Sequence, residues 1–439
     1  MHARREDTTV SIEINPAATE IGTPSTALLR APDLSREVDN AWRIRADKVL
    51  PRGMYGHIQA AQYPAGYPQF FGRSSGARIW DVDDNEYIDL MCSWGPMILG
   101  YGHPGVTAAY DREVADRDMS GGPSPRAVEL AELFVDVVGL ADWAVFAKNG
   151  GDVTTLATTV ARAATGRKKV LKAVKAYHGC LPWCTPVLNG VTPEDRANLI
   201  EFIYNDIDSL TNAVQQAGDD LAAIVMTPHR HETYSDQVLV QPEFARSIRE
   251  ICDRKGAVMI LDDVRSGFRV SVAGSWEPLG VSPDLAAYSK CIANGYPLAA
   301  LTGVEALKDA MGSVYATGSF WYGSGALAAG IECIKTLVEI DGPAIMADRG
   351  NQLMNGLRQQ AASHGISVAV TGPPAMPYLR FEDGKEMEYA FIWCADVMRR
   401  GVNLHPWHNW FLSTAHTERD IAQVLDATDR SFQYLASCI

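Results

Sequence analysis

From about residue 126 the chain alternates short, mostly apolar runs with longer segments whose apolar residues recur at helical spacing. WAVFA, KVLKAV, AAIVM, AVMIL and LAAY are the short runs; RAVELAELFVDVV, VTTLATTVARAATG and EFARSIREICDRKG are the longer ones. A strand with no polar residue on either side must be covered on both faces, so this alternation predicts a mostly parallel sheet between two layers of helices, an α/β fold. In such sheets ligands sit beyond the carboxyl ends of the strands, where the connecting loops gather. The residues that follow each apolar run are therefore the ones to search for chemistry.

The chain has 439 residues, 47% of them apolar, which is enough for a large core and more than one domain. Residues 1–30 read as a polar, extended or disordered arm. Residues 31–90 hold a helix over 35–49 and a hairpin in ARIWDVDDNEYIDL, turned at Asp-Asp-Asn, and are assigned to the small domain. Residues 91–325 form the large sheet domain, and 326–439, with long helices and the runs ISVAVTG and MPYLRFED, a smaller α+β domain.

Composition excludes several functions. A formal net charge of -14 without a basic run argues against nucleic acid as a partner. No apolar stretch approaches the ~20 residues of a membrane span, and the N-terminus lacks the apolar core of a secretory signal, so a cytoplasmic protein with no membrane partner is expected. The 8 cysteines are scattered without CxxC pairs and read as reduced, buried structural thiols. His178, Cys180 and Cys184 lack a second ligand pair, so no metal site is expected.

Four features lie just past apolar runs. Asp262 ends AVMIL; a carboxylate there is costly without a cationic partner, although a helix cap or loop acid is an equal reading in isolation. Lys290 ends LAAYS; alone it reads as a surface lysine, but an amine in an apolar pocket is depressed in pKa and can attack an aldehyde. KNGGDVT, with Asn149, Gly150 and Gly151, is a glycine turn opening a helix, suited to a phosphate but common. Tyr177-His178-Gly179 follows the run KVLKAV, where a ring could stack on a flat cofactor or simply pack.

Together with CSWGPMILGYGHP, LDDVRSGFRV, YSKCIANGYPLAALTG and FLSTAHTERDI, these elements occur in the order and at the spacing of the class III aminotransferases, which the chain resembles from about residue 40 to its end. The nearest likeness is to the branch containing glutamate-1-semialdehyde aminomutase. The resemblance implies a fold-type I transferase, an obligate homodimer with shared active sites, and pyridoxal 5'-phosphate (PLP, or its amine form PMP) as cofactor. It implies that Lys290 forms the Schiff base and shuttles the proton, Asp262 pairs with the ring nitrogen, and Val264 and Tyr177 pack on the two ring faces. It puts Asn149, Gly150 and Gly151 in the phosphate turn, with Tyr177 and His178 in the cofactor site, Ser319 reaching the phosphate of the neighbouring subunit, Glu232 near the ring hydroxyl, and Trp94 on the substrate side.

The departures bear on the substrate. Where the aminomutase pattern has a Ser and an Arg that hold a carboxylate, this chain has Gly56 and Gln59, and a neutral amide cannot replace a bidentate guanidinium. Arg52 or Arg230 could serve in its place, although a surface role is the better reading for each. The expected function is thus transfer of an amino group between an amino donor and an aldehyde or ketone acceptor that lacks the usual carboxylate clamp. The alternatives are a PLP-dependent isomerase, an aminomutase or an amino-acid racemase, and then a non-catalytic homologue.

Overall fold

The computed structural model describes residues 29–382 and 384–439, so the N-terminal arm expected over 1–30 lies outside the described residues but for its last two. The central sheet is built of β1 (Trp143–Ala147), β2 (Lys169–Ala173), β3 (Leu199–Phe202), β4 (Leu221–Met226), β5 (Val258–Asp262), β6 (Leu285–Tyr288) and β7 (Ala299–Gly303). Their spatial order is β1-β7-β6-β5-β4-β2-β3. All pairings are parallel except those of β7, which runs antiparallel to both β6 and β1.

Burial on both faces follows from the apolar runs. Along β5, Val258 and Ile260 pack into one cluster, with Val153, Leu156 and Val160 of the helix Gly150–Thr165. Met259 and Leu261 point the other way, into a cluster with Phe134, Phe244 and Ile248 of two further helices. Each such side chain contributes about 1.5–3 kcal/mol by leaving water. The helix Gly150–Thr165 fits its groove because Val153, Leu156, Ala157, Val160 and Ala161 fall on one stripe, and it stops at left-handed Gly166, whose N–H bonds to the carbonyl of Arg162.

Two smaller assemblies flank this sheet. Phe71–Ser75, Arg78–Asp81 and Glu86–Asp89 form an antiparallel set, to which Val402–Asn403 from near the C-terminus adds in parallel. The Asp-Asp-Asn turn is present: the Asp81 carboxylate accepts the N–H of Asp83 and of Asn85, each at 2.9 Å, and Asp84 takes φ +63. Val368–Thr371 and Tyr378–Phe381 form a separate hairpin, beside the helices Glu386–Arg399 and Glu418–Cys438. There Trp393 packs on Phe381 and Phe432.

Among the described residues no helix is long and apolar enough to cross a membrane. No group of three or more potential ligands could hold a metal ion there. All eight cysteines are free thiols, and Cys180 and Cys438 are exposed, which corrects the expectation that every thiol is buried.

Candidate active site

Four elements of the sheet converge at their carboxyl ends. Asp262 is the last residue of β5, Lys290 lies two residues beyond β6, Gly150 opens the helix after β1, and Tyr177 follows β2 by four. All four line one cavity of about 490 Å³, with Val264 and Arg265.

Lys290 adopts φ +51, a left-handed conformation that a residue with a Cβ takes only where its surroundings impose it. Facing it, Cys92, Ser93 and Trp94 are left-handed in succession. That tight coil brings the Trp94 carbonyl to 3.1 Å from Lys290 Nζ, which donates to it. Gly95 completes the turn at φ +106, where a Cβ would stand 3.0 Å from Phe411 and 3.4 Å from the Lys290 side chain. Burial, and then the nearby cations Arg265 and Arg269, push the Lys290 amine down to about 8.

Asp262 is 6% exposed. Its Oδ2 lies 2.7 Å from His178 Nδ1, and its Oδ1 accepts the N–H of Val264 at 3.2 Å. His178 is itself held by the hydroxyl of Thr154, which donates to its carbonyl at 2.7 Å, and its buried Nε2 has no hydrogen-bond partner among the described residues. Gly150 touches the same loop: a Cβ on it would meet Val264 Cγ1 at 2.7 Å, so the helix start and the Asp262 loop can be this close only with glycine there.

The neighbouring acid, Asp263, is fully committed to structure. It accepts the N–H and hydroxyl of Ser275 and, buried, is pushed up to about 7.

Other expected residues have different surroundings. Asn149 lines the cavity, but both its backbone N–H and its Nδ2 go to Asp152 Oδ2, at 2.9 and 3.3 Å. The amides of Gly150 and Gly151, the first two of the helix, have no carbonyl of their own helix to bond. Ser319 is exposed and does not line the cavity of its own chain. Glu232 pairs with Arg230 at 3.1 Å and also lies outside the lining. Gln59 donates to the Arg52 carbonyl at 3.4 Å and does not line the Lys290 cavity, and Arg52 is exposed. The Trp94 ring is enclosed by His57, His405 and His408, at 4.4, 5.2 and 4.9 Å between centroids. It does not line the Lys290 cavity but a separate one of about 500 Å³, with Tyr63, Met91 and His405.

Sequence reasoning missed three residues here. Arg265 lines the cavity, and its guanidinium donates to Asn409 Oδ1. His231 lines it too, its Nδ1 held 2.9 Å from its own segment's carbonyl at His229. Arg269, fully buried, donates to the carbonyls of Gly95 and Leu412 and so ties the Lys290 turn to the C-terminal segment. Position past a strand end, three residues beyond Asp262, was the one available signal for Arg265, and Arg269 in the same RSGFR stretch shares it.

This arrangement fits pyridoxal phosphate. A partly neutral amine, a strand-end carboxylate, a helix start whose glycine a Cβ would obstruct, and an aromatic and an aliphatic side chain all border one space of suitable size.

Comparison with known proteins agrees. The model of the family "Aminotransferase class-III" matches residues 60–417. The chain is 45% identical over 390 residues to an aminopentol aminotransferase of Sphingopyxis macrogoltabida, covering 89% of this chain and 92% of that one. A glutamate-1-semialdehyde 2,1-aminomutase of Desulforudis audaxviator is 32% identical, over 89% of this chain and 96% of its own. The expected nearest likeness to the aminomutase branch is thereby corrected: those motifs belong to the whole family, and overall identity runs higher to the aminopentol enzyme. Among solved structures, the PLP internal aldimine form of the FumI protein of Sphingopyxis sp. MTA144 superposes with a TM-score of 0.89 at 45% identity, over 90% of this chain and 95% of that one.

Proposed function

The chain belongs to the class III aminotransferase family and is a PLP-dependent aminotransferase of fold-type I, and from that premise we propose that Lys290 is the residue that holds the cofactor and moves the proton. The observation that carries this reading is the shared cavity of Lys290 and Asp262, with an amine held down to about 8 at one strand end and a carboxylate fixed by His178 at the next.

When bound, the cofactor supplies an electron sink for the charge left at the substrate carbon. The chain's own residues do the rest. Asp262 holds the ring nitrogen protonated, and His178 keeps that carboxylate in place. The Lys290 amine, when free, would take the proton from the substrate carbon and return it on the far side of the amino nitrogen. Gly150 and Gly151 direct amides at the phosphate. Tyr177 and Val264 pack on the ring, and Trp94 borders the substrate.

One of the two substrates, we propose, is an aldehyde or ketone, or the matching amine, without a carboxylate next to the reacting carbon. The support is that Gly56 and Gln59 stand where a clamp is expected, while Arg52 is exposed and Arg230 is spent on Glu232. The similar protein named aminopentol aminotransferase is in line with an amine of this kind. A homodimer with shared sites is part of the proposal. Its support is the exposed segment around Ser319, where Tyr315, Phe320 and Tyr322 also lie open.

The test is the visible spectrum of the purified protein, taken before and after adding amino donors one at a time. Bleaching by one donor, with release of its keto product, establishes a half-reaction and names the donor. An absorbance that no donor bleaches, with product formed by an internal shift of the amine, favours the isomerase reading.

A further inference from the structure

Arg265 is half-buried, and part of its side chain faces the cavity that Lys290 lines. Among the described residues its guanidinium makes one hydrogen bond, to the neutral Asn409 amide, and no carboxylate lies within ion-pair distance of it. That amide cannot turn away, because its Nδ2 donates to the Trp410 carbonyl at 2.8 Å. Four of the five guanidinium donors are thus left over in a space whose other cation is Lys290. Taking a cation partly out of water this way is costly unless an anion joins it. Asp262 and Tyr177 act on it without forming an ion pair, and His229, His231 and His408 are all pushed down by burial with Arg265 next to them, and stay neutral. Arg269, which is fully buried, differs in having two backbone carbonyls as acceptors.

We infer that Arg265 is the anion anchor of this site, taking an oxyanion at the carbon that reacts at Lys290. Two sources share this chemistry: the carboxylate of the amino-acid or keto-acid partner, and the ring oxyanion of the cofactor. The inference rests on Lys290 being the attachment point. It extends that reading by separating the two substrates: the one without a carboxylate meets no clamp at Gly56 and Gln59, and the one with a carboxylate meets Arg265. The donor fork of Arg265, held at one corner by Asn409, presents paired N–H groups to a carboxylate.

The experiment uses cofactor-loaded wild type, Arg265→Gln, Arg265→Lys and Lys290→Ala. Propionate, a carboxylate with no amine to react, is titrated against the visible absorbance, and that absorbance is separately followed against pH. Loss of one charge-assisted hydrogen-bonded pair weakens binding about ten- to hundredfold. Arg265→Gln is expected to weaken propionate by that factor, with partial recovery in Arg265→Lys, which keeps the charge but loses the fork. If propionate binding is unchanged and the spectral pH midpoint rises by about one unit, the oxyanion is the cofactor's own. If neither quantity moves, the inference is overturned. Should Arg265→Gln not fold, Asn409→Leu, which frees the guanidinium without removing it, must shift the same two quantities in the same direction, or the inference falls. Lys290→Ala separates the two levels: a visible band that survives in it overturns the site reading itself, whereas a band lost there with no effect at Arg265 overturns only the anchor.

Discussion

His178 Nδ1 and Asp262 Oδ2 stand 2.7 Å apart, joining a loop after β2 to the end of β5 across 84 residues. The imidazole fixes the carboxylate that the proposed mechanism aims at the ring nitrogen. Asp262→Asn keeps the shape and removes the charge, so the variant should still load cofactor while turnover falls by about a hundredfold or more, a loss of some 3 kcal/mol in the barrier. Single-turnover absorbance and steady-state rates check it; near-normal turnover would remove Asp262 from its role.

Lys290→Ala should abolish both the visible band and transamination. Among the described residues the Lys290 side chain makes one hydrogen bond, to the Trp94 carbonyl, so the fold should persist, with a thermal midpoint close to that of the wild-type apoprotein. Circular dichroism alongside the spectrum decides whether loss of the band is chemical or structural.

An amine at about 8 is roughly one-tenth neutral at pH 7, against well under a thousandth for an ordinary lysine. The neutral form attacks, and a lowered value means it deprotonates as pH rises through about 8. The rate of cofactor capture by the apoprotein should therefore climb with pH up to about 8 and then level. A rate still rising tenfold per unit beyond pH 9 would mean that the pocket does not depress this lysine.

Gly150→Ala puts a methyl 2.7 Å from Val264 Cγ1. Both residues border the cavity, so the overlap should move the helix start or the Asp262 loop and weaken cofactor binding by about tenfold or more. Adding Val264→Ala removes the obstructing carbon and should restore part of the loss. Equilibrium dialysis of the two single variants and the double variant measures the coupling; strict additivity would show that the contact is not the cause.

Burial pushes His405 and His229 down to about 3, against 6.5 in an unfolded chain. Between these values the unfolded state binds the extra protons, so stability is lost as pH falls below 6.5 and continues to be lost toward 3, each group adding up to about 1.4 kcal/mol per pH unit. Replacing His405 with Asn should flatten the decline of the thermal midpoint between pH 6 and pH 4. An unchanged slope would show that His405 is hydrated when folded.

The strand–helix alternation, the carboxyl-end positions of Asp262 and Lys290, and the helix opening at Gly150 are readable in the chain because they follow from local periodicity and from where polar residues interrupt apolar runs. Strand β7 was not, since AALTG has the small residues of a loop and becomes a strand only because β1 and β6 offer hydrogen-bonding edges on both sides. Arg265 was also missed: nothing in RSGFR distinguishes a cavity arginine from the structural Arg269 four residues on. Their difference lies in what the distant chain brings up, an Asn409 amide for one and the carbonyls of Gly95 and Leu412 for the other.

The amino-acid sequence by itself determined the layered fold, the strand-end positions of Lys290 and Asp262, and the family, because these depend on apolar patterning and on motifs read in order. Tertiary structure alone decided which cations are free to meet a ligand. Arg230 is neutralised by its near neighbour Glu232, but the other two are set by partners more than a hundred residues away: Arg269 is spent on backbone carbonyls, and Arg265 is left with donors facing the cavity because folding brought it an amide and no carboxylate.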